Sequence, residues 1–148
     1  MPLEIYLVSD HAGFELKKQL LDYLNTPLFL NLYKVSDLTP TFLQNDDYPD
    51  KARVLAISLE NNDDAFGIAI CGSGVGISIA LNRYKHIRAV CGLDKLSVRL
   101  SREDNNANVL CLGQRVLKSE KAIKLIKVFL ETKFNSAERH LRRIQKIS

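Results

Sequence analysis

Short apolar runs alternate along this chain with longer stretches whose apolar residues recur every three or four positions. Residues 4–9 form the first short run and read as a buried strand. Asp10-His11-Ala12-Gly13 then turns the chain. Phe14, Leu16, Leu20, Leu21 and Leu24 keep helical spacing, with Lys17, Lys18 and Asp22 between them, so the pattern predicts an amphipathic helix that stops before Pro27. A second apolar segment covers 28–36, and 37–47 is irregular, with Pro40 and an Asn-Asp-Asp cluster. Pro49 suits the first turn of a helix through about residue 61, with Ala52, Leu55, Ala56 and Leu59 on its apolar side.

The second half repeats the alternation. Strands are expected at 66–71, 87–91 and 108–112. Helices are expected at 75–82, 94–102 and 118–134, with a shorter basic helix at 136–147. Strands that are apolar throughout, separated by helices, fit a sheet covered on both faces. The expected fold class is α/β: one domain over 1–148, a three-layer α/β/α sandwich with a mostly parallel, Rossmann-like sheet. Such sheets bind ligands beyond the carboxyl ends of their strands. Asp10, Cys71, the loop after Cys91 and the region after Leu112 all fall at such ends.

Composition narrows the class. The chain has 148 residues, 46% of them hydrophobic, enough for one real core. No segment approaches the roughly 20 unbroken apolar residues of a membrane span. The first residues lack the basic, apolar and small-residue series of a secretory leader. Three cysteines without a C-x-x-C pair argue against a disulfide scaffold or a four-cysteine zinc site, and reduced thiols in the cytoplasm are expected. No histidine or cysteine spacing suggests a metal. The net charge of +4 is uneven. Residues 1–114 carry 11 basic and 14 acidic side chains, whereas residues 115–148 carry 10 basic and 3 acidic. A basic tail fits nucleic acid, a membrane surface, a phosphate site or a solvated lysine face. No broad basic field with aromatic platforms is present, which disfavours nucleic acid.

The candidate chemistry centres on Cys71-Gly72-Ser73-Gly74-Val75-Gly76. A cysteine ending an apolar strand is usually a small core residue. A glycine-rich turn leading into a helix changes that, because uncovered amides favour negative charge on a thiol or on a developing enolate oxygen. The loop lacks G-x-G-x-x-G spacing and follows the third strand, so it is a poor dinucleotide fingerprint, and no P-loop pattern is present. Asp10 and His11 follow the first strand, where they could cap a helix or bind sugar hydroxyls or phosphate. His86 sits in an expected surface turn. Arg139, Arg142 and Arg143 share roughly one helical face beside His140, and arginine forks fit phosphate oxygens. Residues 102–108 read as a polar loop and candidate substrate segment.

Taken in order, Ser9-Asp10-His11-Ala12-Gly13, Asp47-Tyr48-Pro49, Ile70-Cys71-Gly72-Ser73-Gly74-Val75-Gly76-Ile77-Ser78, Ile87-Arg88-Ala89-Val90, Ser101-Arg102 through Asn108-Val109-Leu110, Leu112-Gly113-Gln114-Arg115-Val116 and Arg139-His140 with Arg143 resemble the type B ribose-5-phosphate isomerase family, which also includes the galactose-6-phosphate isomerase subunits. The resemblance covers nearly the whole chain. It implies an aldose–ketose isomerase without a metal or organic cofactor, acting on a phosphorylated pentose through a cis-enediolate. Cys71 matches the family's base. The backbone of Gly72, Gly74, Val75 and Gly76 matches its anion hole. Ser73 stands where threonine is usual, and Asp10 and Tyr48 match sugar contacts. His11, Arg115, Arg139, His140 and Arg143 match phosphate-side residues. Family sites take residues from two subunits, so a homodimer or homotetramer with shared sites is expected, completed by the helical segment 118–147. No nucleic-acid or membrane partner is expected.

One position departs from the family pattern. A histidine-asparagine pair, whose histidine assists sugar-ring opening, is replaced by Asp104-Asn105. A carboxylate also accepts a hydroxyl proton, with different geometry. Ring opening then falls to Asp104 or to His11. The cysteine-bearing galactose-6-phosphate isomerase subunit also lacks this histidine. A hexose-6-phosphate isomerase or heteromeric subunit therefore stays open, as does a non-catalytic sugar-phosphate binder.

Overall fold

The computed structural model describes residues 1–148. Five parallel strands form one sheet: β1 (Leu3–Ser9), β2 (Tyr33–Asp37), β3 (Phe66–Cys71), β4 (Ala89–Cys91) and β5 (Val109–Gly113), in the order β2-β1-β3-β5-β4. The helices are α1 (Phe14–Leu24), α2 (Pro27–Leu30), α3 (Tyr48–Leu59), α4 (Val75–Leu81), α5 (Lys95–Asn105), α6 (Ser119–Glu131) and α7 (Glu138–Ile147). The expected α/β sandwich is what the chain adopts, and the sheet is wholly parallel.

The period of two along each strand builds two cores. Ile5 and Leu7, Ile68 and Ile70, and Leu110 and Leu112 face α1, α5 and α6 through Leu16, Leu20, Val98, Leu125 and Phe129. Val8, Ala69, Cys71, Val109 and Cys111 face α3 and α4 through Leu55, Leu59, Ile77 and Leu81. Both faces are covered, which is why the central strands carry no polar alternation. No helix is long and apolar enough to cross a membrane.

The chain winds from β1 to β2 on one side and then crosses to β3 on the other. That reversal opens a crevice beyond the carboxyl ends of β1 and β3. Asp10 and Cys71 leave the sheet there, and the Asp10 amide donates to the Ile70 carbonyl at 3.3 Å.

Three local expectations are corrected. The segment at 102–105 is not loop: α5 continues through Asn105 and ends at Asn106, a left-handed cap with φ of 46°. Arg102 is buried there, stacked on Phe66 and Phe129 and donating to Asn106 Oδ1 at 2.9 Å and the Ala107 carbonyl at 2.5 Å. Lys17 is fully buried rather than on a polar face. Its ammonium reaches Asp37 Oδ1 at 2.9 Å, the Thr39 hydroxyl at 3.2 Å and the Thr39 carbonyl, which strap the segment after β2 to α1. His86 is not a free surface residue, because its Nε2 bonds the Ala56 carbonyl at 2.8 Å.

Candidate active site

Cys71 ends β3 with its side chain turned toward α4 and only 4% of its surface exposed. The chain then reverses within three residues to start α4. Gly74 makes that possible, since its φ of 79° is costly for any residue with a Cβ. The turn aims the Gly74 N–H at Cys71 Sγ, 3.1 Å away. An amide donor at that distance stabilises negative charge on sulfur. Burial pushes the Cys91 and Cys111 thiols up from the ordinary range.

Around Cys71 lies a cavity of about 210 Å³. Asp10 and His11 line it from the end of β1, Tyr48 from the start of α3, Gly72, Ser73 and Gly76 from the loop, and Arg115 from the turn after β5. Each is placed by a specific contact. The Gly13 N–H donates to Asp10 Oδ1 at 3.0 Å, the capping bond expected of an aspartate after a strand. The Arg115 amide donates to the Gly72 carbonyl at 2.9 Å, and its guanidinium lies 2.9 Å from where a Cβ on Gly72 would stand. The Tyr48 ring comes within 2.8 Å of the corresponding point on Gly76. No larger residue at 76 leaves room for that ring.

The anion-hole expectation needs one correction. The Gly74 N–H is taken by Cys71, and the Val75 N–H donates to Ser73 Oγ at 3.1 Å. The amides of Gly72, Ser73 and Gly76 make no hydrogen bond within the chain, so these three are the open donors. Ser73 therefore contributes a backbone donor that its hydroxyl had overshadowed.

Burial and neighbouring charge act on the titratable groups of the cavity. Burial raises the Asp10 carboxyl above the usual carboxylate range, against the Gly13 hydrogen bond that lowers it. The Asp46 carboxylate holds His11 above the ordinary histidine value, against a smaller opposing cost of burial. His11 and Arg115 line the same cavity as Asp10 and Cys71. No group of three or more histidine, cysteine or acidic side chains has metal-binding geometry.

The remaining expected residues are not in this cavity. Asp104 and Asn105 sit at the end of α5, which starts beyond the carboxyl end of β4 and runs back to the amino pole of the sheet. Asn105 lines another cleft with Arg83, Arg88 and Ile147. On α7, Arg139 and Arg143 are exposed, whereas His140 is buried, with Nε2 3.6 Å from Asp104 Oδ1 and without a hydrogen bond. The expected site is thus two clusters on one chain. Sequence reading also passed over Asp46 and Lys51. Asp46 lay in an Asn-Asp-Asp cluster read only as part of an irregular segment, and nothing local marked it.

Gly74→Ala tests the loop geometry. The added Cβ meets the Leu112 carbonyl carbon at 3.0 Å and Cys91 Sγ at 3.2 Å, besides adopting a strained φ. A loss of roughly 1–3 kcal/mol is expected in denaturant unfolding, and turnover should fall further than stability because the amide aimed at Cys71 moves.

Comparison with known proteins identifies the family. The Ribose/Galactose Isomerase family profile matches residues 5–147. A protein of Mycoplasma genitalium named probable ribose-5-phosphate isomerase B is 40% identical, covering 99% of this chain and 95% of that one. The crystal structure of a ribose 5-phosphate isomerase from Thermotoga maritima superposes with a TM-score of 0.89 at 42% identity, covering 98% of this chain and 97% of its own. The Mycoplasma genitalium ribose-5-phosphate isomerase B structure with bound ribulose-5-phosphate gives a TM-score of 0.89 at 40% identity, covering 99% and 95%. With its fold and nearly its whole length in common with these proteins, the chain belongs to the ribose/galactose isomerase family.

Proposed function

We propose that this protein interconverts ribose 5-phosphate and ribulose 5-phosphate, with Cys71 as the base. The observation that carries this reading is the Cys71 thiol, held 3.1 Å from the Gly74 amide in a cavity shared by Asp10, His11 and Arg115. The Cys71 thiolate takes the proton from C2 of the open-chain aldose. Charge builds on O1 of the resulting cis-enediolate, where the Gly72, Ser73 and Gly76 amides stabilise it. The Cys71 thiol returns the proton to C1, and the hydroxyl proton passes from O2 to O1, a transfer assigned to Asp10 and Ser73. Asp10 suits it because its raised pKa brings the acid and base forms closer in energy. Tyr48 contacts the sugar, and His11 and Arg115 face its phosphate.

The second cluster joins the first from a partner copy. The exposed apolar residues Val75 and Ile79 of α4 and Leu96 and Leu100 of α5 flank the short edge strand β4, a surface suited to a second copy. A homodimer, alone or paired into a homotetramer, brings Asp104, Asn105, Arg139, His140 and Arg143 of one chain to the Cys71 cavity of the other. There Asp104, with His140 beside it, opens the sugar ring, and α6 and α7 complete the site. The free thiols fit a reducing cytoplasm.

The test is turnover of ribose 5-phosphate, allose 6-phosphate and galactose 6-phosphate by the purified single chain. Ribose 5-phosphate is expected to be the best substrate. Preference for a hexose phosphate, or activity only with a second subunit type, replaces the pentose reading. Binding without turnover replaces the enzyme reading.

A further inference from the structure

Asp46 closes the irregular segment between β2 and α3, 35 positions from His11, yet it holds that histidine from three directions. Its Oδ1 accepts the His11 backbone N–H at 2.7 Å and the ring Nδ1–H at 3.0 Å. Its own carbonyl accepts from Nδ1 at 3.1 Å. Its second oxygen, Oδ2, pairs with Lys51 Nζ at 3.3 Å, and the Asp46 and Lys51 side chains are only 12% and 13% exposed. Two acceptors on Nδ1 fix the ring tautomer, because that nitrogen must carry its hydrogen. Nε2 makes no bond within the chain and is the nitrogen left for the cavity that His11 lines.

A neutral ring presents a lone pair at Nε2, which repels a phosphate oxygen. A protonated ring presents N–H, which binds it. We propose that Asp46 is a positioning residue that presents His11 Nε2–H to the phosphate of the bound sugar and sets the pH range over which that contact lasts. The inference rests on the reading of His11 as a phosphate-side residue.

Other charged groups around His11 fix the sign. Asp10 favours the cation, as Asp46 does; Lys51 of α3, paired with Asp46, and Arg115 of the turn after β5, in the same cavity, carry the like charge that by Coulomb's law disfavours it. Asp46 itself is pushed up by burial, but the His11 and Lys51 contacts outweigh this and hold it below the usual carboxylate range. The carboxylate therefore stays charged as pH falls. The contact is complete below the His11 midpoint and is lost as pH rises through it.

The experiment is an NMR titration of the His11 ring in the substrate-free protein, with and without inorganic phosphate, beside KM and kcat for ribose 5-phosphate at a pH between the wild-type and variant midpoints and at a pH below both. In Asp46→Asn the His11 midpoint should fall toward the ordinary value of about 6.5. Between the two midpoints KM should rise roughly 5- to 10-fold, as for loss of one charged hydrogen bond, with kcat within about twofold. Below both midpoints the gap in KM should narrow, since the ring is protonated in both proteins. Asp46→Glu should restore most of the midpoint. Lys51→Gln removes an opposing cation and should move the midpoint upward, so the inference has a second readout if Asp46→Asn does not fold. An unchanged midpoint in Asp46→Asn, or a downward move in Lys51→Gln, overturns the clamp. A lowered midpoint with unchanged KM overturns its role in phosphate recognition. If the wild-type protein does not isomerise ribose 5-phosphate but phosphate still raises its His11 midpoint, the isomerase reading fails and the clamp stands.

Discussion

Replacing Cys71 by alanine should lower kcat for ribose 5-phosphate by roughly 10³-fold or more, the scale of a lost general base. The variant should still bind the substrate's phosphate end. His11 and Arg115 approach the cavity from β1 and the turn after β5, and neither depends on the thiol. The change removes one sulfur from a nearly buried position and leaves the backbone of the loop in place. Its structural cost is small beside its catalytic cost, and circular dichroism with a denaturant midpoint separates the two. Near-normal turnover in a folded Cys71→Ala protein rejects the base assignment. A rise in KM equal to the fall in kcat/KM, with kcat preserved, also rejects it, because that is the signature of lost uniform binding.

A second large effect is expected on mixing two inactive variants. Cys71→Ala lacks the base, and Arg139→Ala/Arg143→Ala lacks cations of the second cluster. Alone, each should be nearly inactive at substrate concentrations well below KM. If sites are shared, a hybrid dimer has one site damaged twice and one site wholly native. Random 1:1 reassortment makes half the dimers hybrid, so activity should recover to about one quarter of wild type. The assay is turnover after mild dissociation and remixing. No recovery, with hybrid dimers verified by mass spectrometry, places both clusters in one chain and contradicts the shared site.

Much of the fold was legible because its signals are local. Alternating residues of β3 and β5 are apolar on both faces, and each strand is bounded by a polar turn. The Cys71 loop was legible too, because Gly74 and Gly76 are needed where they stand by a positive φ and a crowding ring. What escaped depends on contacts distant in sequence. Lys17 sits at helical spacing like a solvated lysine, but its partners Asp37 and Thr39 are 20 and 22 positions away. Asp46 reads as a loop acid until His11 arrives from the other side of the crevice. Asp104 was read in a polar loop as a candidate substrate contact. The direction of α5 puts it at the opposite pole, and no periodicity carries that information.

Proton transfer by Cys71 is read by incubating ribose 5-phosphate with the protein in deuterium oxide and following the C2 proton by NMR. The wild-type chain alone should replace that proton with deuterium while forming ribulose 5-phosphate, and Cys71→Ala should leave it intact over the same period. Exchange that proceeds equally well in Cys71→Ala contradicts the account.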